Sequence, residues 1–145
     1  MEKLHTALNV QIANWSVLYT KLHRYHWFVK GPQFFTLHEK FEELYNESAT
    51  VVDEVAERLL ASGGTPVATM KEYLNLATLE ETKGESSANE MVASLVEDYK
   101  HLKQELKALA ELSAQQEDDV INDLAVGLLV KVDTHIWMLS AYLGE

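Results

Sequence analysis

The chain contains no cysteine, which excludes disulfides and thiolate metal ligands. Its N-terminus, MEKLHTALNV, lacks the basic segment and apolar run of a secretory signal. No uninterrupted apolar stretch approaches the length of a membrane span. We therefore expect a soluble, cytoplasmic protein without membrane association. A length of 145 residues predicts one domain over residues 1–145.

Basic residues are also scarce. The chain has 12 Lys and Arg against 23 Asp and Glu, for a net charge of -11 at pH 7. Because affinity for nucleic acid comes largely from Lys and Arg that displace counterions, this charge disfavours direct DNA binding. An acidic surface attracts cations instead, although the same charge can simply aid solubility.

Proline occurs only at Pro32 and Pro66, and the apolar residues recur at helical spacing. The first helix is predicted from about Leu4 to Val29, and Gly31 with Pro32 ends it. Its apolar residues form one stripe, which predicts the buried face of the helix: Leu8, Ile12, Trp15, Leu18, Leu22, Tyr25 and Val29.

A second helix is predicted to begin at the sequence TLHE. There Thr36 can cap the backbone and Glu39 can complete a capping box. The helix should continue to about Ala61, ahead of Gly63 and Gly64. Residues 63–86 then form the only long irregular stretch, within which PVATMKEYLNLA is compatible with a short extra helix.

Two further long helices complete the chain. The sequence SANE, residues 87–90, is a second capping box and opens the third of them. The fourth begins near residues 117–119 and runs to about Leu143. It is apolar on more than one face, which implies burial against something beyond its own bundle.

This pattern of two short links and one long link predicts an all-α fold. It favours a ferritin-like four-helix bundle with a long crossover between helices 2 and 3 that carries the short extra helix. An up-down bundle with three short loops would leave 24 residues of the chain without a role, which disfavours it in a compact domain.

The second helix carries two pairs of metal-ligand residue types. His38 and Glu42 form one pair, Asp53 and Glu57 form the other, and each pair has i,i+4 spacing. At about 100° per residue, all four lie within roughly 100° of the helix surface. They can therefore face one partner surface.

The two pairs are too far apart to share one metal within a chain. Eleven residues separate Glu42 from Asp53, about 16 Å along the helix axis, whereas metal–ligand bonds are on the order of 2 Å. Two interpretations stay open. Either the pairs are unrelated, or a two-fold mate lays its helix antiparallel so that each pair completes the other's site, which would generate the site twice.

His26 supplies a donor from the first helix, near the hairpin end and within reach of His38. Imidazole with carboxylate suits Fe(II), Mn or Zn, whereas Mg or Ca favours an all-oxygen site. The Glu-x-x-His pattern of ferritin-like di-iron bundles occurs only at Glu2 to His5, at the frayed start of the chain.

Each candidate also has an ordinary interpretation. His26 could be a packing residue, and Glu42 and Glu57 could be solvated charges. Asp53 lies within VVDEVAERLL, an apolar neighbourhood in which an unpaired charge would be costly. Trp27 is either a packing group or an electron donor beside an oxidising metal.

Taken together, KLHRYHWFVKGPQFFTLHEKFEELY, DEVAERLLASGGTPVATMKEY and HIWMLSAYLG resemble the Dps family of bacterial mini-ferritins, over nearly the whole chain. The resemblance is closest to the Dps proteins of Gram-positive bacilli. It implies a hollow homododecamer that oxidises Fe(II), preferably with hydrogen peroxide, and stores the ferric mineral inside.

The resemblance also implies roles for individual residues. One subunit would supply His26, His38 and Glu42 to a mono-iron or di-iron site, and its two-fold mate would supply Asp53 and Glu57. Glu42 stands where many relatives carry Asp, and this difference affects the expected ligands of the second, weaker iron position. Trp27 matches the aromatic residue beside the centre. Asp119 and Asp123 resemble carboxylates of the three-fold iron pores, with helix-dipole compensation as the alternative.

Some Dps proteins compact DNA through a Lys-rich N-terminal tail. This chain begins within a few residues of its first helix and shows no such tail. DNA compaction is therefore the alternative function, and a third interpretation is a helical scaffold whose donor residues form only interface hydrogen bonds.

Overall fold

A computed structural model describes all residues from Met1 to Glu145, and all of its regular secondary structure is helical, without strands. The predicted all-α class and the short helix within the crossover are confirmed. The helices are α1 Glu2–Phe28, α2 Phe34–Ala61, α3 Met70–Leu76, α4 Ala88–Gln115 and α5 Asp119–Tyr142. Residues 8–91 form one compact unit, and residues 1–7 with 92–145 form a second. The expectation of a single domain stays a prediction.

The unit of residues 8–91 contains the hairpin of α1 and α2. The chain turns at Gly31, whose φ of +106° suits a residue without a side chain. The amide of Phe34 then donates to the carbonyl of Gly31 at 3.0 Å, and Gln33 occupies the N-cap position without a side-chain cap. The predicted capping box of Thr36 and Glu39 is therefore wrong, because this turn starts the helix two residues before Thr36.

The apolar stripe predicted for α1 is confirmed, since all seven of its residues are at most 1% exposed. The buried positions of α2 recur every three or four residues and define its inward face: Leu37, Phe41, Leu44, Ser48, Val51, Val55 and Leu59. The burial of this face, rather than a capping side chain, accounts for the stability of the long helix α2.

Two asparagines of α1 attach the crossover to this hairpin. The buried Asn14 accepts from the amides of Thr78 and Leu79 at 2.7 and 3.0 Å, and its own amide donates to the Thr78 hydroxyl. Five residues earlier, Asn9 accepts from the amide of Val67 at 2.9 Å. These bonds satisfy backbone amides of an irregular segment, where no regular secondary structure supplies hydrogen-bond partners.

Both remaining predicted helix starts agree with the structure. The hydroxyl of Ser87 accepts from the amide of Glu90 at 3.1 Å, ahead of α4. In the unit of residues 1–7 and 92–145, Asp118 caps α5 by accepting from the amide of Ile121 at 3.0 Å. In the same unit, Asn122 of α5 donates to the carbonyl of Ala110 on α4 at 2.9 Å.

Helix α5 combines a buried stripe with exposed apolar side chains. Val130 is 63% exposed and Trp137 is 67% exposed. By length and composition α5 could cross a membrane, with 22% of its most apolar window buried. Core helices of soluble proteins meet the same two criteria, so one such helix is weak grounds for a membrane assignment.

Candidate metal centre

His26 and His38 meet where α1 and α2 leave their turn. Their imidazole rings are stacked, with centroids 3.7 Å apart and planes 14° apart. Nδ1 of His26 lies 2.6 Å from the carbonyl oxygen of His38, and Nδ1 of His38 lies 2.7 Å from the carbonyl oxygen of His26. Because a carbonyl oxygen can only accept, each Nδ1 is the donor, and each neutral ring presents the lone pair of Nε2 as a ligand.

Glu42 lies beside this pair of rings. Its Oε1 is 3.9 Å from Nε2 of His26, and its side chain is 52% exposed. Two metal–ligand bonds of about 2.1 Å at a tetrahedral angle join atoms about 3.4 Å apart. A small movement of the exposed carboxylate therefore suffices for both atoms to bind one ion.

Asp53 and Glu57 are on the same side of α2 as Glu42, and both are exposed. The expectation that Asp53 lies in an apolar environment is wrong. The helical period turns it about 155° away from the buried stripe that includes Val51 and Val55. Within one chain, no group of three or more His, Asp or Glu residues is arranged to hold a metal ion.

A group of four aromatic rings, from Tyr19, His23, Trp27 and Tyr45, reaches the histidine pair through the contact of Tyr45 with His26. His23 stacks on Trp27 with centroids 4.9 Å apart, and it also lies against Tyr45 at 3.9 Å. Tyr19 contacts His23 edge-on at 4.7 Å. Trp27 is 64% exposed, so it is not a core packing group, unlike the fully buried Trp15. Its ring stacks on His23 and has no contact with the two candidate ligand rings.

Tyr45 was not predicted from the sequence. Its hydroxyl donates to Oε1 of Glu42 at 3.5 Å, and its ring lies edge-on to His26 at 5.3 Å. Burial raises the pKa of Tyr45, and the negative charge of Glu42 raises it further, so the phenol remains a donor. Burial, followed by the charge of His26, lowers the pKa of His23. The i,i+3 spacing from Glu42 to Tyr45 could have indicated this contact, because residues three apart are neighbours on a helix surface.

Asp119 and Asp123 belong to the first two turns of α5, outside the unit that contains His26 and His38. Both are exposed. Asp118, rather than either of them, supplies the helix cap. Their carboxylates are therefore available to solvent and to the positive end of the helix dipole.

The profile of the ferritin-like domain matches residues 5–145. The chain is 53% identical to DNA protection during starvation protein 2 of Bacillus anthracis over 138 residues, which cover 95% of this chain and 94% of that protein. The chain belongs to the Dps family of ferritin-like proteins. This Dps-family chain is also 50% identical to general stress protein 20U of Bacillus subtilis, over 99% of both chains.

The crystal structure of Dps from Staphylococcus aureus superposes on this Dps-family protein with a TM-score of 0.97. That comparison covers 99% of this chain and 96% of the other, at 46% identity. Both the predicted family and the predicted ferritin-like fold are thereby confirmed. The roles of the individual donor residues stay predictions.

Proposed function

We propose that this protein is an iron-storage ferroxidase. It oxidises Fe(II), preferably with hydrogen peroxide, and keeps the ferric product inside a hollow homododecamer in the cytoplasm. One observation carries the proposal most directly: Nδ1 of His26 and Nδ1 of His38 are each held by a backbone carbonyl, which leaves Nε2 as the metal-binding atom of each ring, beside the carboxylate of Glu42. Imidazole together with carboxylate suits Fe(II) and disfavours Mg or Ca.

A two-fold mate completes this site in the proposal. His26, His38 and Glu42 of one chain face Asp53 and Glu57 of the mate, and the symmetry produces a second identical site. The exposure of both acidic residues supports the proposal, because they are accessible to a neighbouring chain. A complete set then offers two imidazoles and three carboxylates to one or two iron ions.

The proposed reaction consumes two Fe(II) ions and one hydrogen peroxide. Two Fe(II) ions supply the two electrons that convert one hydrogen peroxide and two protons into two water molecules, and both irons leave as Fe(III). A paired two-electron step releases no hydroxyl radical. Three-fold pores lined by Asp119 and Asp123 would attract Fe(II) by charge. The net charge of -11 supports cation uptake by the whole shell.

The proposal is tested by mixing anaerobic Fe(II) with the purified protein and adding hydrogen peroxide. We expect rapid oxidation and soluble ferric iron that co-sediments with a dodecamer. A scaffold protein would neither accelerate oxidation nor keep ferric iron in solution. A stable monomer in sedimentation would also contradict the proposal, because the site needs two chains.

DNA compaction is the second candidate, since the Bacillus anthracis relative is named for DNA protection during starvation. Against it, only 12 Lys and Arg offset 23 Asp and Glu. Phosphate contacts require a local excess of positive charge. A gel-shift assay at low salt decides between them: we expect no shift at any protein concentration, and a salt-sensitive shift would favour compaction.

A further inference from the structure

Tyr45 lies among the proposed metal donors without being one of them. Its hydroxyl is 3.5 Å from Oε1 of Glu42, the same oxygen that faces Nε2 of His26 at 3.9 Å. A carboxylate oxygen has two lone pairs, so Oε1 can accept from the phenol and bind a cation at the same time.

The Tyr45 ring is held on several sides. His23 lies against it at a centroid distance of 3.9 Å, and Tyr19 and His26 contact it edge-on at 5.8 and 5.3 Å. Trp27 in turn stacks on His23. The rings of α1 come from positions 19, 23 and 27, whose i,i+4 spacing aligns them along one face. The phenol cannot swing away without breaking these contacts.

Glu42 is the donor that needs such support. Its side chain is more than half exposed, and its carboxylate accepts a hydrogen bond from Tyr45. His26 and His38, by contrast, are each fixed by a backbone carbonyl. Hydrogen bonds to a ligating carboxylate orient it and typically affect metal affinity 10-fold to 100-fold.

We propose that Tyr45 is a positioning residue that holds Oε1 of Glu42 toward Nε2 of His26, and that His23 clamps the Tyr45 ring in place. This inference rests on the proposed function, since it assigns Glu42 to a site for a divalent transition metal. It gives the otherwise unassigned His23 a role through Tyr45, without contact with the metal.

The test is titration of the assembled, metal-free protein with Co(II), followed by calorimetry and by visible absorption, which reports the ligand geometry. Tyr45→Phe keeps the ring and removes only the hydroxyl. We expect it to weaken Co(II) binding about 10-fold and to change the absorption spectrum. Tyr19→Phe is the matched control, because its ring belongs to the same group but its hydroxyl makes no bond to Glu42.

A double-mutant cycle shows whether Tyr45 acts through Glu42. In a Glu42→Ala background, Tyr45→Phe should cause no further loss of Co(II) affinity. His23→Phe, which preserves a ring, should retain more affinity than His23→Ala.

The two proposals fail in different ways. If the unaltered protein binds no Co(II), the proposed metal centre itself is wrong. If the unaltered protein binds Co(II) but Tyr45→Phe binds it equally well, or loses affinity equally with and without Glu42, only the positioning role is overturned.

Discussion

His26 and His38 each donate an Nδ1 proton to the backbone carbonyl of the other, at 2.6 and 2.7 Å. The backbone of each helix therefore orients the candidate ligand of the other helix, and neither imidazole needs a further side chain to hold it. The acceptors belong to the backbone, so they persist when a side chain is removed. The site is preorganised by the hairpin itself.

This relationship predicts the tautomers of both rings. At neutral to alkaline pH, ¹⁵N NMR of histidine-labelled protein should show His26 and His38 protonated at Nδ1. In His38→Ala the carbonyl of residue 38 remains, so His26 should keep the same tautomer while metal binding is lost. A ring of His26 protonated at Nε2 in the unaltered protein would contradict the proposed ligand geometry.

A shared site predicts complementation between inactive variants. His26→Ala and Asp53→Ala should each lack rapid Fe(II) oxidation when assembled alone. In a 1:1 co-assembly, half of the two-fold contacts join the two variants, and one of the two sites at each such contact is intact. About a quarter of the unaltered activity should return.

Differently tagged subunits would verify that both variants are present in one assembly. Co-assembly of His26→Ala with His38→Ala is the matched control, because both lesions fall in the same half-site and no contact can regain an intact site. Equal activity in the two mixtures would contradict a site shared between subunits.

The sequence predicted most of the fold because its apolar residues follow the helical period with little ambiguity. Every residue of the predicted α1 stripe is buried, and the start of α5 was placed within two residues. The start of α2 was misplaced because Thr36 offered a plausible cap, whereas the turn at Gly31 decided the helix start. Capping rules consider only the residues around a possible helix start, so they do not include the effect of a preceding turn on where the helix begins.

The candidate site was only partly predictable. Spacing alone identified His38 with Glu42, and the hairpin placed His26 beside them. Spacing did not reveal the backbone bonds that set the tautomers or the contact from Tyr45, because these depend on how two helices are rotated against each other. The exposure of Asp53 was not predicted for a related reason. Its sequence neighbours Val51 and Val52 suggested burial, but its position around the helix directs it to the exposed side.

Asn14 should be the more important of the two asparagines that attach the crossover. Asn14→Ala leaves the buried amide of Leu79 and the amide of Thr78 without their acceptor. We expect a loss of about 2–4 kcal/mol in the free energy of unfolding. Asn9→Ala should cost less, about 1 kcal/mol, because one of its two bonds is solvent-exposed. Urea unfolding at one fixed protein concentration measures both, and equal losses would contradict this ranking.

Acid should weaken the crossover through Glu85. Burial alone would raise the pKa of this carboxyl, but hydrogen bonds from the hydroxyls of Thr82 and Tyr25 and from backbone amides outweigh burial and lower the pKa to about 2. The Thr82 bond is 2.6 Å long. A pKa below the ordinary value of 4.5 means that ionised Glu85 stabilises the folded state above pH 4.5. That stabilisation is lost as the pH falls from 4.5 toward 2.

Comparison with Glu85→Gln isolates this contribution from other acids that titrate over the same range. At pH 7 the variant should be less stable by about 1–2 kcal/mol, a value discounted for partial exposure. The difference should shrink below pH 4.5 and vanish near pH 2. Glu81→Gln removes the same charge from an exposed position nearby and serves as the control. A difference for Glu85→Gln that persists unchanged to pH 2 would mean that its cost comes from altered packing rather than from the ionised carboxylate.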